Sequence, residues 1–87
     1  MRTKHPCPCC GFLTLDELPP GTFAVCPVCY WEDDDAQFRD PNLAGGANEV
    51  SLVRARMNFR EFGASSAAHA GSVRQPLPAE QPPPSSR

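Results

Sequence analysis

Five cysteines are the residues of this chain with the most chemistry to offer, and four of them fall into two C-x2-C units. The first unit lies within Cys7-Pro8-Cys9-Cys10-Gly11 and the second is Cys26-Pro27-Val28-Cys29, with fifteen residues between Cys10 and Cys26. Two cysteines three apart can point at one ion when the chain turns tightly between them. Two such pairs supply the four soft ligands, about 2.3 Å from the metal, that a tetrahedral zinc ion takes. Pro8 and Pro27 sit where a fixed φ favours the turn. Gly11 permits the positive φ that follows such a turn, whereas Tyr30 holds the matching place after the second pair, so the two turns need not be identical. The expected site is one structural zinc ion held by Cys7, Cys10, Cys26 and Cys29. The competing reading is two disulfides or four free thiols. A closed four-cysteine sphere leaves no position for water or substrate, which points to structure rather than catalysis. Cys9 is the spare cysteine. It reads as a small, partly buried residue, or else as a reactive thiol or alternative ligand, because a thiol beside a metal ionises more readily. His5 reads as exposed rather than ligating.

These ligands need a scaffold that brings two distant turns together. Phe12-Leu13-Thr14-Leu15 and Thr22-Phe23-Ala24-Val25 read as short strands, joined through Asp16-Glu17-Leu18-Pro19-Pro20-Gly21 as a turn. Tyr30-Trp31-Glu32 reads as a third strand leaving the site. The expected fold class is a small metal-stapled α+β domain: a zinc-ribbon-like β-hairpin with two cysteine knuckles, packed by one C-terminal helix and followed by a disordered tail. The stretch from Phe38 to Asn48 reads as a loop, with Asp40-Pro41-Asn42 and Gly45-Gly46 as turn signals. Ser51 is a suitable cap for a helix over Leu52–Phe62, with Gly63 as its stop; Asn48 is the alternative cap. Leu52, Ala55, Phe59 and Phe62 fall on one face of that helix, and both phenylalanines are expected in the core.

The chain has 87 residues and a formal charge of -2. From residue 64 it is rich in Ala, Ser, Pro, Gln and Gly with almost no large apolar side chain. The predicted organisation is therefore a zinc-binding domain over residues 1–63 and a disordered tail over residues 64–87. Residues 1–63 hold six Lys or Arg and nine Asp or Glu, giving -3. Four thiolates on a divalent ion would add about two more negative charges. An acidic domain is a poor match for a phosphate backbone, so another protein, rather than nucleic acid, is the expected partner. No stretch is long and apolar enough to span a membrane, and Met1-Arg2-Thr3-Lys4 leads into the cysteines without an apolar leader. The expected location is the cytoplasm, where C-x2-C pairs read as metal ligands before disulfides.

Trp31-Glu32-Asp33-Asp34-Asp35 reads as a core tryptophan followed by a solvated charge run. Sharper alternatives are a surface for a basic partner, a hard-cation site, or docking contacts from these carboxylates to Arg56 and Arg60. Gly45-Gly46-Ala47-Asn48 reads as a plain loop, with a phosphate-binding turn as the weaker alternative. No nucleophile–histidine–acid array is present. His5 and His69 are the only histidines, and His69 lies in the predicted tail, so no enzymatic activity is expected.

Taken together, the CPCC-Gly-Phe-Leu-Thr-Leu-Asp stretch from Cys7, Pro20-Gly-Thr-Phe, Cys26-Pro-Val-Cys-Tyr-Trp-Glu-Asp-Asp, Gln37-Phe38, Asp40-Pro41, Gly45-Gly46-Ala47-Asn48 and the helix ending in Phe62-Gly63 resemble the bacterial cysteine-rich CPCC family. The resemblance covers about residues 7–64. It implies a small metal-binding domain and no particular biochemical activity. Two alternatives to a protein-interaction module follow from the knuckles themselves: a nucleic-acid-binding zinc ribbon and a rubredoxin-like iron protein for electron transfer, the latter set back by the short distance between the knuckles.

Overall fold

A computed structural model describes residues 4–82. Each C-x2-C turn reverses the chain, so the residues flanking a turn become the nearest available strand partners. At the first turn Gly11 N–H donates to Cys7 O at 2.8 Å, and at the second Tyr30 N–H donates to Cys26 O at 2.7 Å. Around the first turn, β1 (His5–Pro6) pairs antiparallel with β2 (Leu13–Leu15), with His5 opposite Leu15. Around the second, residues 22–26 run against 31–33. There Asp33 N–H donates to Ala24 O and Cys26 N–H to Trp31 O, both at 2.9 Å, framing one bridge between Val25 and Glu32.

The strand pairing therefore differs from the one predicted. Residues 12–15 do not form a hairpin with 22–25; each knuckle is the tip of its own small hairpin. The reason is local. The knuckle closes the chain on itself over four residues, whereas Asp16-Glu17-Leu18-Pro19-Pro20-Gly21 carries two prolines without N–H groups and runs as an open loop. The predicted third strand is reduced to the bridge at Glu32, because Phe23 adopts a left-handed φ of 60° that ends the ladder.

The acidic run turns into a helix absent from the sequence prediction, α1 (Asp35–Arg39). Asp34 caps it, accepting from Ala36 N–H at 3.0 Å, and the first-turn carboxylate of Asp35 suits the helix N-terminus. The C-terminal helix α2 (Leu52–Phe62) starts and stops where predicted. Ser51 Oγ accepts from Arg54 N–H, and Gly63 adopts a φ of 84° as the C-terminal stop. Leu52 and Ala55 are fully buried and Phe59 packs on the core, its ring edge-on to Phe12 at 6.1 Å. Phe62, expected in the core, is 45% exposed; it lies in the last turn of the helix and lines a surface cavity with Val28 and Val73.

The disordered tail is also corrected for residues 64–80. Ala64 and Ser65 are buried, and Ser65 N–H donates to Cys29 O at 2.8 Å. A 3-10 helix over Ala67–Ser72 follows, then Arg74 N–H donates to Pro27 O. A second 3-10 turn over Pro78–Glu80 lies against β2 and is closed by a two-pronged ion pair from Arg74 to Glu80, at 2.9 and 2.7 Å. The radius of gyration, 12.2 Å, equals the roughly 12 Å of a fully compact chain of this length. Small residues and polar clamps do here what large apolar residues do elsewhere, and composition alone hides them. Residues 83–87 of the predicted tail lie outside the described residues.

Candidate metal centre

The core and the cysteine cluster are the same place. Cys7, Cys9, Cys26 and Cys29 are buried together with Val28, Trp31, Leu52 and Ala55, and Cys10 packs against them. The Sγ atoms of Cys7, Cys10, Cys26 and Cys29 all lie within 4.8 Å of one another, a group that could hold a metal ion. Cys7 Sγ is 3.6 Å from Cys29 Sγ and Cys10 Sγ is 3.7 Å from Cys26 Sγ. These separations are far beyond an S–S bond of about 2.05 Å, and all five cysteines are free. They match the edge of a tetrahedron with 2.3 Å bonds, about 3.8 Å. Each close pair takes one sulfur from each knuckle, so an ion at the centre ties the two hairpins together. The residues present fit a tetrahedral four-sulfur ion.

The two knuckles are alike despite their different sequences. Gly11 takes a φ of 82° and Tyr30, at the matching place, takes 71°. The second turn thus forces a bulky side chain into a conformation that disfavours it. Tyr30 stacks on His69, ring centroids 4.5 Å apart, so the strained residue gains a contact from the C-terminal segment. That makes His69 part of the packed structure rather than of a free tail.

As thiols, Cys10, Cys26 and Cys29 are shifted by their neighbouring sulfurs. Cys26 is pushed far down, first by a hydrogen bond from Cys10 and then by those from Cys29 and Cys7. Cys29 and Cys10 are pushed up, chiefly through their hydrogen bonds to Cys10 and Cys26 respectively. Four thiols so close cannot all ionise beside one another unless a cation neutralises them, which is the electrostatic case for a metal. Thr14, buried on β2, places its Oγ1 3.1 Å from Cys26 Sγ, where its hydroxyl can donate to the sulfur. From the sequence Thr14 is only a member of a short strand.

Cys9 is buried, 8% exposed, and lies outside the four-sulfur group; its place in the core matches the plain reading of a small packed residue. His5 is half-buried in β1 and also outside that group. Arg56 does not pair with the acidic run. Its Nε donates to Pro8 O at 3.0 Å, fastening α2 to the first knuckle. Among the described residues neither Arg56 nor Arg60 forms an ion pair.

Two members of the acidic run, Asp33 and Asp34, are spent inside the fold rather than solvated. Asp33 is buried and its Oδ2 accepts from Thr22 N–H and Oγ1, at 2.9 and 2.8 Å. Asp34 is also buried and accepts from Ala36 N–H and Ala47 N–H. Gln37, fully buried, places Nε2 2.9, 3.1 and 3.0 Å from the carbonyls of Leu43, Asn48 and Val50, while its Oε1 accepts from Asn48 N–H and Nδ2. A Cβ on Gly46 would meet Asp34 Oδ2 at 2.5 Å and Gln37 Cδ at 2.9 Å, so this glycine is required by close approach. The N–H groups of Ala47 and Asn48 are committed to Asp34 and Gln37, which removes the phosphate-binding reading of the Gly45-Gly46 turn. Gln37 and Asn48 carry this loop, and neither signals its role by type or spacing.

Comparison with known proteins agrees with the geometry. The family model described as Cysteine-rich CPCC matches residues 5–80, and the chain belongs to that family. The match runs through the packed C-terminal segment. No curated protein matches the chain.

Proposed function

We propose that this member of the cysteine-rich CPCC family is a small zinc-ribbon-like protein in which one zinc ion, held by Cys7, Cys10, Cys26 and Cys29, staples a platform that binds another protein. The observation that carries the metal reading is the coincidence of core and cysteine cluster: the buried heart of the domain is built from sulfur. A closed four-sulfur sphere supports a structural ion, and the reading is of a non-enzymatic protein. When bound, the ion supplies binding energy rather than reactivity. For structural zinc in small peptides that energy is roughly 10–16 kcal/mol, comparable to or above the roughly 5–15 kcal/mol stability of a whole domain.

The interaction role is supported by what the platform exposes. Leu18 and Phe23 are 71% and 60% exposed, with Val25 and Tyr30 nearby in sequence, on a domain whose charge balance is acidic. Free thiols and a thiolate-held ion suit a reducing compartment such as the cytoplasm. No helix among the described residues is long and apolar enough to cross a membrane.

Two measurements test this reading. Elemental analysis of the colourless purified chain is expected to find one zinc per molecule; a coloured protein carrying iron would replace zinc by the rubredoxin-like alternative. Affinity capture with zinc-loaded chain is expected to retain a protein that chelated chain does not. Equal retention by both forms would count against a metal-stapled platform.

A further inference from the structure

The two edges of the second hairpin are treated differently. In the bridge between Val25 and Glu32, the flanking hydrogen bonds are made by residues 24, 26, 31 and 33. The N–H and C=O of Val25 and of Glu32 therefore point away from each other, toward opposite edges. On the Glu32 side both are occupied: Glu32 N–H donates to Asn48 Oδ1 at 2.9 Å, and Asn48 Nδ2 donates to Glu32 O at 2.8 Å. One side-chain amide thus stands in for a neighbouring strand and closes that edge. On the Val25 side neither group has a partner among the described residues.

The open edge faces a groove. Residues Thr22, Ala24 and Val25 form one wall and Thr14, Leu15 and Glu17 the other, around a cavity of about 370 Å³. That volume falls within the roughly 300–1,000 Å³ of ligand-binding clefts. The groove is pinned at its metal end by the contact between Thr14 and Cys26. It therefore lies between two strand edges, one from each hairpin. Between Thr22 and Ala24 of that wall the chain carries Phe23, 60% exposed at a φ of 60°. A bulky residue in the left-handed region with most of its surface in solvent is a costly arrangement. Glu17, beside the groove, and Glu32 and Glu49, in the adjoining cavity that Val25 also lines, form no ion pair among the described residues.

We propose that an extended segment of a partner protein, alternating basic and apolar residues, adds as a strand along Val25 and fills this groove. Its main chain exchanges two hydrogen bonds with Val25, its apolar side chains pack on Val25 and Phe23, and its basic side chains meet the unpaired glutamates. The segment bridges the two hairpins. This names the partner class for the interaction reading above and rests on it.

The test uses the full zinc-loaded chain and blocked peptides of alternating arginine and valine, followed through amide NMR shifts. Binding is expected to move the amides of Ala24, Val25 and Thr14 and to protect the Val25 amide from exchange. N-methylation of every second peptide residue, which removes one edge of donors, is expected to weaken affinity at least tenfold. The glutamate–valine analogue is expected to bind at least tenfold more weakly as well. Phe23→Gly separates binding from folding: glycine accepts the left-handed φ, so the domain stays folded with an equal or higher Tm, while affinity falls at least tenfold. Equal affinity of methylated and unmethylated peptides, no response at Val25 up to millimolar peptide, or unchanged binding by Phe23→Gly overturns the groove. Shifts confined to α2 overturn it too, yet leave a protein-binding role standing. Capture that fails while the peptides bind at Val25 would count against the metal-stapled platform and not the groove.

Discussion

Thr14 and Gly46 show how single side chains set the centre and its surroundings. A hydroxyl 3.1 Å from Cys26 Sγ stabilises charge on that sulfur. Removing a hydrogen bond of this kind from a metal ligand typically costs roughly 10–100-fold in affinity. Thr14→Val, close in shape, is expected to weaken zinc binding by about tenfold in competition with a chelator, with the fold intact at saturating metal. Gly46→Ala places a methyl 2.5 Å from a buried carboxylate oxygen and 2.9 Å from Gln37 Cδ. It is expected to lower stability by about 1–3 kcal/mol in denaturant melts. Gly71→Ala, with nothing within 4 Å, is the control and leaves stability within about 0.5 kcal/mol. The cysteine pairs were legible at this scale because ligand type and spacing are dictated by the ion. Thr14, Gln37 and Asn48 were not, because a hydrogen bond between residues distant in sequence leaves no periodic trace.

At the level of elements, α2 was readable and the strands were not. Ser51, an apolar face and Gly63 are local signals, and the helix obeys them from Leu52 to Phe62. The strands are two or three residues long, too short for alternation to register, and their partners were chosen by the knuckle turns. The acidic run misled because the side chains of Asp33 and Asp34 turn inward to backbone donors. The C-terminal segment was hidden by its composition, yet it is clamped by Arg74 and Glu80. The Arg74 guanidinium, hydrogen-bonded to Glu80, holds that carboxyl below its usual range. A lowered carboxyl stabilises the folded form above the ordinary carboxylate pKa, roughly 4.3, and the contribution disappears as pH falls through the lowered value. The protection factors of amides 65–80, measured against the intrinsic exchange rate at each pH, are therefore expected to fall on acidification below about pH 4. In Glu80→Gln that segment is expected to be already poorly protected at neutral pH. Equal protection in both proteins at pH 7 would show that the clamp does not hold the segment.

For the molecule as a whole, the centre is expected to decide whether there is a fold at all. Three of the ligand cysteines, Cys7, Cys26 and Cys29, together with Cys9 make up half of the buried cluster, and the two hairpins meet through sulfur pairs that each draw one atom from either knuckle. Without an ion the apolar remainder is Val28, Trp31, Leu52 and Ala55 with their partly buried neighbours, a thin core for 87 residues. Thiolate ligands must lose protons to bind, so the metal-held fold is also expected to weaken as pH falls. The most direct measurement is a zinc titration of the chelated, reduced chain, followed together by amide dispersion and hydrogen exchange. Collapsed dispersion and no protection are expected without metal, full recovery at one equivalent of zinc, and no recovery in Cys26→Ser. Chelated protein that kept its dispersion and its protected amides would contradict a metal-held fold.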